Sequence, residues 1–113
     1  MTFSVGSRTT GTGTVVTVAG ELDVATAPRL RAGIGDLTLG RGQLLVVDLA
    51  GVTFCDSSGI SALIAARNTA EAAEAVVALA AVPERIMRTF SLIGLAGFFP
   101  TYPSAEGALA AHP

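Results

Sequence analysis

The apolar positions of this chain switch along its length between runs that suit a strand and spacings that suit a helix. Thr14-Val15-Val16-Thr17-Val18 is β-branched throughout, the side-chain type that packs well on a pleated surface. Val5 to Ala19 therefore predicts one or two strands, with Gly11 and Gly13 offering a turn before the β-branched run. Gly20-Glu21-Leu22-Asp23 reads as a loop. Asp23 or Thr26 can cap the helix that follows, and Pro28 is tolerated in a first turn. Ala27, Leu30, Ile34 and Leu37 then recur at helical spacing. Gly33 and Gly35 each cost about 1 kcal/mol relative to alanine in such a helix, so it depends on packing.

Leu44 to Leu49 is a continuous apolar run ending in Asp48-Leu49, the pattern of a strand covered on both faces. A second helix is expected to start near Ser57, with Ile60, Leu63, Ile64 and Arg67 on one side. Ala75 to Val82 reads as another buried strand. Pro83 opens a third helix, with Ile86, Met87, Phe90 and Ile93 expected to point inward. Phe98-Phe99 and Tyr102 suggest a short last strand, and Ser104 caps a closing helix to Ala111. Strands and helices alternate, which favours a partly parallel sheet with helices packed on it. No repeat or linker divides residues 1–113, so one α/β domain is expected.

Composition narrows the functional classes. Half of the 113 residues are hydrophobic, mostly small aliphatics, and only 14% are charged, below the usual quarter. Much apolar surface is thus left to bury or to offer to a partner. The net charge is −2 and the seven basic residues are all arginine, spread from Arg8 to Arg88. No basic stripe marks a nucleic-acid binder. A lone Cys55 cannot close an internal disulfide, which fits a reducing compartment. No apolar run is long enough to span a bilayer, and no signal peptide is visible. A cytoplasmic domain without membrane insertion is the expectation.

Candidate chemistry is sparse. Hydrolysis through Ser57 or Ser58 needs a base, most often histidine, and a group to orient it. The one histidine is His112, near the C-terminus, there is no lysine, and Cys55-Asp56-Ser57-Ser58-Gly59 does not match the G-x-S-x-G elbow. One cysteine and one histidine cannot supply a transition-metal site. Asp23, Asp48 and Asp56 match no cation-binding loop and read better as a cap, a strand-end residue and a cap. Gly11-Thr12-Gly13 and Gly33-Ile34-Gly35 lack the strand–loop–helix setting of a nucleotide fingerprint. Neither an enzyme nor a cofactor is expected.

Asp56-Ser57-Ser58-Gly59, between a buried strand and an apolar helix, is the feature that remains. One reading is structural: Asp56 or Ser57 caps the helix, and Gly59 permits close approach of another backbone. The other is that a serine hydroxyl is presented to a kinase. A phosphate there would gain from free N–H groups and the helix dipole, and would add about −1.5 to −2 charge beside Asp56.

The order of these motifs resembles the STAS domain family, in particular the anti-sigma factor antagonists. The resemblance rests on Gly20-Glu21-Leu22-Asp23 after the first strands, Val46-Val47-Asp48-Leu49 as a central strand, and Val52 to Gly59 with its Asp-Ser-Ser-Gly. Leu92-Ile93-Gly94-Leu95 with Phe98-Phe99 is similar to the family's C-terminal ending. It implies a four-to-five-stranded mixed sheet with about four helices mainly on one face.

The resemblance also implies a partner switch. The unphosphorylated chain binds an anti-sigma factor that is a GHKL-type serine kinase, freeing a sigma factor. Phosphorylation of Ser57, with Ser58 as the alternative acceptor position, abolishes binding, and a metal-dependent serine phosphatase resets the cycle. Glu21, Asp23, Asp56, Ser57, Ser58, Gly59, Ile60 and Ala62 are the implied partner-binding residues, with Ile60 and Ala62 as an apolar interface core. The alternative role is a cytoplasmic accessory subunit of a membrane lipid-transport ATPase. One departure stands out: the family commonly carries glycine before the strand that follows the second helix. Here that segment is Glu71-Ala72-Ala73-Glu74-Ala75, so the helix runs longer or the turn differs.

Overall fold

The computed structural model describes residues 3–95 and 97–112 and arranges them around one five-stranded sheet. Strand β1 (Ser4–Thr9) pairs antiparallel with β2 (Gly13–Leu22). From there the chain repeats helix and strand. Helix α1 (Ala27–Gly35) leads to β3 (Leu44–Cys55), α2 (Ser57–Ala72) to β4 (Val76–Ala80), and α3 (Glu84–Leu92) to β5 (Thr101–Tyr102). Strands β2 to β5 are parallel and stand in chain order. Right-handed crossovers that always step the same way lay their helices on one face. Helices α1, α2 and α3 accordingly share a face, and the closing α4 (Ala105–Ala111) covers the other.

The period of two along β3 divides its residues between two cores. Leu45, Val47 and Leu49 join Leu30, Ile34, Leu63, Ala66, Ile86 and Phe90 under the three helices. Leu44 and Val46 join Val15, Ala78, Ala80, Ala105 and Ala108 under α4. A strand buried on both sides has no polar face to show, which is why this run reads as continuous aliphatic sequence.

Several boundaries differ from expectation. Strand β3 continues past Leu49 to Cys55, because two bulges against β2 let it bend without leaving the sheet. Asp48 is thus inside the strand rather than at its end, and its carboxylate accepts the Ala50 N–H at 3.0 Å beside the first bulge. Gly20, Glu21 and Leu22 belong to β2, and the turn begins only at Asp23. Strand β4 stops at Ala80 because Ala81 takes a left-handed conformation, φ +53°. Ile93 is the C-cap of α3 and is 53% exposed, not inward-facing. Phe98 and Phe99 lie in a turn, stacked edge to face at 5.1 Å, and only Thr101–Tyr102 pair as a strand.

The glycine-free connection after α2 has a definite shape. The helix runs to Ala72, and Glu74 adopts φ +59°, the left-handed region that favours glycine. The Glu74 N–H donates to Glu71 O at 3.0 Å and the Ala75 N–H to Ala70 O at 2.8 Å. That bonding pattern is a Schellman turn, in which a glutamate here holds the position glycine suits best.

Candidate functional site

Parallel pairing of β2 and β3 sets Glu21 opposite Phe54 and Leu22 opposite Cys55. The turns leaving both strands therefore emerge side by side at the carboxyl end of the sheet, where open α/β sheets commonly bind ligands. The Asp56 N–H donates to Leu22 O at 3.2 Å and ties one turn to the other.

Each turn is fixed by its own side chains. Asp23 Oδ1 accepts the N–H groups of Ala25 (3.0 Å) and Thr26 (3.1 Å). Thr26 Oγ1 donates to Glu21 O at 2.6 Å and accepts the Asp23 N–H at 2.9 Å. Thr26 is the N-cap by position, yet its hydroxyl serves the turn and not the helix. Val24 protrudes from this closed turn, 74% exposed. On the other side Asp56 is the N-cap of α2, with Oδ1 accepting from Ser58 N at 2.8 Å and Gly59 N at 3.2 Å. The structural reading of Asp56 holds. It also means that those two N–H groups, expected to be open to a phosphate, are already taken by the Asp56 carboxylate.

Between the turns lies an open groove of about 400 Å³, lined by Val24, Ala27, Pro28, Arg31, Ser57, Ser58 and Ser61. Ser57 is exposed and Ser58 partly buried. Glu21, Asp23 and Asp56 are half-buried around the two turns. Gly59, Ile60 and Ala62 are buried: Ala62 is fully enclosed and Ile60 is part of the core under the helices. They support the surface from beneath and cannot form its apolar face. The first turn of α2 sends every third or fourth side chain into the sheet, and Ile60 and Leu63 are on that side. Val24, Arg31 and Ser61 were not legible as part of this surface. Arg31 sits one helical turn beyond Ala27, a spacing that becomes informative only once α1 is known to flank α2.

Two other groups bear on the chemistry. Burial, and then the neighbouring Asp56 carboxylate, push the Cys55 thiol up to about 11, so it stays protonated and unreactive at neutral pH. His112 Nε2 lies 2.8 Å from the Gly42 carbonyl, ahead of β3, at the opposite end of that strand from Ser57. It cannot serve Ser57 as a base. Among the described residues no three His, Cys, Asp or Glu side chains group as metal ligands, and no helix is long and apolar enough to cross a membrane.

Comparison with known proteins agrees with this arrangement. The profile described as STAS domain matches residues 6–108. The anti-sigma-B factor antagonist of Listeria monocytogenes is 30% identical over 78 residues, covering 69% of this chain and 68% of that protein. An anti-sigma factor antagonist from Mycobacterium paratuberculosis superposes with a TM-score of 0.81 at 30% identity, over 98% of this chain and 94% of that one. The fold is also that of the Bacillus cell fate determinant SpoIIAA in its phosphorylated form, with a TM-score of 0.69 at 23% identity, over 96% of this chain and 97% of that one.

Proposed function

The chain belongs to the STAS domain family, and on that footing we propose that it is an anti-sigma factor antagonist switched by phosphorylation of Ser57. The observation that carries this reading is the position of Ser57. Its hydroxyl is exposed on a groove at the start of α2, directly after the capping Asp56, in a turn locked to the neighbouring strand. The Listeria monocytogenes anti-sigma-B factor antagonist and the Mycobacterium paratuberculosis anti-sigma factor antagonist are each 30% identical to this chain.

In the proposed cycle the unphosphorylated chain docks on an anti-sigma factor that is itself a GHKL-type serine kinase, and a sigma factor is freed. Ser57 Oγ attacks the γ-phosphorus of kinase-bound ATP. The new O–P bond forms, the bond to the ADP oxygen breaks, and the hydroxyl proton passes to a base of the kinase. A metal-dependent serine phosphatase transfers the phosphoryl group to water and restores the hydroxyl. The partner brings nucleotide and base, so this chain needs only to present Ser57.

The docking surface consists of Val24 as an apolar anchor, Ser57 and Ser58 beside it, and Glu21, Asp23 and Asp56 as a polar rim. Gly59, Ile60 and Ala62 hold it rigid from below. A phosphate on Ser57 adds about −1.5 to −2 charge next to the Asp56 carboxylate. Desolvating such a group without a cation from the partner costs several kcal/mol, and each 1.4 kcal/mol is tenfold in affinity.

Affinity capture from native lysate with wild type and Ser57→Asp side by side, read by mass spectrometry, tests this. A serine kinase held by wild type and released by the variant is the expected result. A transport ATPase held equally by both would move the chain to an accessory role in membrane transport.

A further inference from the structure

The groove beside Ser57 contains a cation with no ion-pair, hydrogen-bond or aromatic partner among the described residues. Arg8, Arg41, Arg67 and Arg88 each form an ion pair with a glutamate at 2.8–3.2 Å. Arg85 donates to the Thr53 carbonyl at 3.0 Å, and Arg29 lies over the Phe3 ring at 5.0 Å. Of the seven arginines, only Arg31 has no carboxylate within 4.0 Å, no hydrogen bond and no aromatic ring among the described residues. Arg31 is exposed, so its guanidinium is free to take a partner.

Its position in the fold is specific. Arg31 follows Ala27 by one turn of α1, and helical side chains lean back toward the helix N-terminus. That direction carries it along the wall made by Ala27 and Pro28, facing Ser57, Ser58 and Ser61 on α2. Two backbone donors near Ser57 are committed. The N–H groups of Ser58 and Gly59 already serve Asp56, whose carboxylate repels a phosphate from that side.

We infer that Arg31 is the internal counter-charge of phosphorylated Ser57, its planar fork of donors receiving the phosphate oxygens within the groove. This rests on the reading of Ser57 as the phospho-acceptor. Phosphorylation then changes the docking surface in two ways at once. It adds negative charge, and it draws Arg31 across the groove so that the space between Val24 and Ser61 is filled and closed to a partner side chain. The kinase is released by occupation of the groove as well as by repulsion.

The test installs phosphoserine at position 57 during synthesis of the full chain, so no kinase is involved, and follows its 31P resonance with pH. A free phosphoserine titrates at about 6. In wild type the midpoint is expected about half a unit or more below that of Arg31→Gln, with the difference shrinking at high salt. The Nε–Hε resonance of Arg31 in the wild-type phosphoprotein is expected to shift with the same midpoint, a readout independent of how the variant folds. Coincident 31P midpoints in wild type and variant, or an Arg31 resonance that ignores the titration, would overturn the assignment while leaving Ser57 as phospho-acceptor untouched. Failure of Ser57→Asp to release the kinase sinks the phospho-acceptor reading instead, and leaves this titration interpretable.

Discussion

Gly59 packs directly against Leu22. A methyl group at Gly59 would meet Leu22 Cγ at 2.7 Å and the Leu22 carbonyl oxygen at 2.9 Å, with Cys55 Sγ at 2.8 Å. The start of α2 can therefore lie against the end of β2 only if this residue has no side chain. The contact holds Ser57 beside the turn that carries Val24.

Gly59→Ala is expected to destabilise the chain by about 1–3 kcal/mol through overpacking. The neighbours include backbone and cannot swing aside as a flexible side chain would. Urea unfolding at neutral pH measures this, and a midpoint equal to wild type would show that α2 can shift away from β2 freely.

Asp56→Ala removes the acceptor of two N–H groups at the head of α2. The expected loss is about 1 kcal/mol, with Asp56→Asn retaining most of the stability. Hydrogen exchange should show faster opening of the Ser58 and Gly59 amides in the alanine variant. Unchanged exchange would mean that the cap is not what orders this turn.

Cys55 makes two linked expectations. Its thiol is raised from an ordinary 9.0 to about 11, so iodoacetamide at pH 8 should alkylate the folded chain about a hundredfold more slowly than an ordinary thiol. The unfolded chain releases this proton near its ordinary value while the folded chain retains it to higher pH. Between about 9 and 11 the unfolded state thus binds fewer protons, and stability falls as pH rises. The contribution is whole below that window and is lost through it. Cys55→Ala should show a shallower decline over the same range.

Glu74→Gly is expected to stabilise. The residue is left-handed at φ +59°, which costs a non-glycine side chain about 1 kcal/mol. Its ion pair with Arg41 is largely exposed, both side chains being more than 60% accessible, and so contributes little. A melting temperature about 4 °C higher is the predicted gain. Glu74→Ala, which loses the ion pair without relieving the backbone, should melt close to wild type.

Much of the fold was legible because local pattern and global arrangement agree. The β-branched run at Thr14–Val18, the aliphatic run at Leu44–Leu49 and the caps at Asp56 and Ser104 lie in the elements they predict. The errors fell where tertiary contacts override local signals. Strand β3 outlasts its hydrophobic run because bulges keep it paired with β2. Ile60 and Ala62 sit next to Ser57 in the chain but on the buried side of α2. Phe98-Phe99 resembles a strand but forms an aromatic turn, with Arg67 lying 4.4 Å over the Phe98 ring.

The linear pattern specifies the succession of strands and helices and the Asp-Ser-Ser-Gly turn with a cap at Asp56 or Ser57. These follow from periodicity and from hydrogen bonds between residues two or three apart, which a linear reading can see. Which side chains share a surface with Ser57 follows from contacts between elements distant in the chain. Val24, Arg31 and Ser57 meet because β2 and β3 pair in parallel and α1 packs beside α2. That juxtaposition depends on register and helix packing across more than 30 residues of chain, a distance over which no local propensity acts.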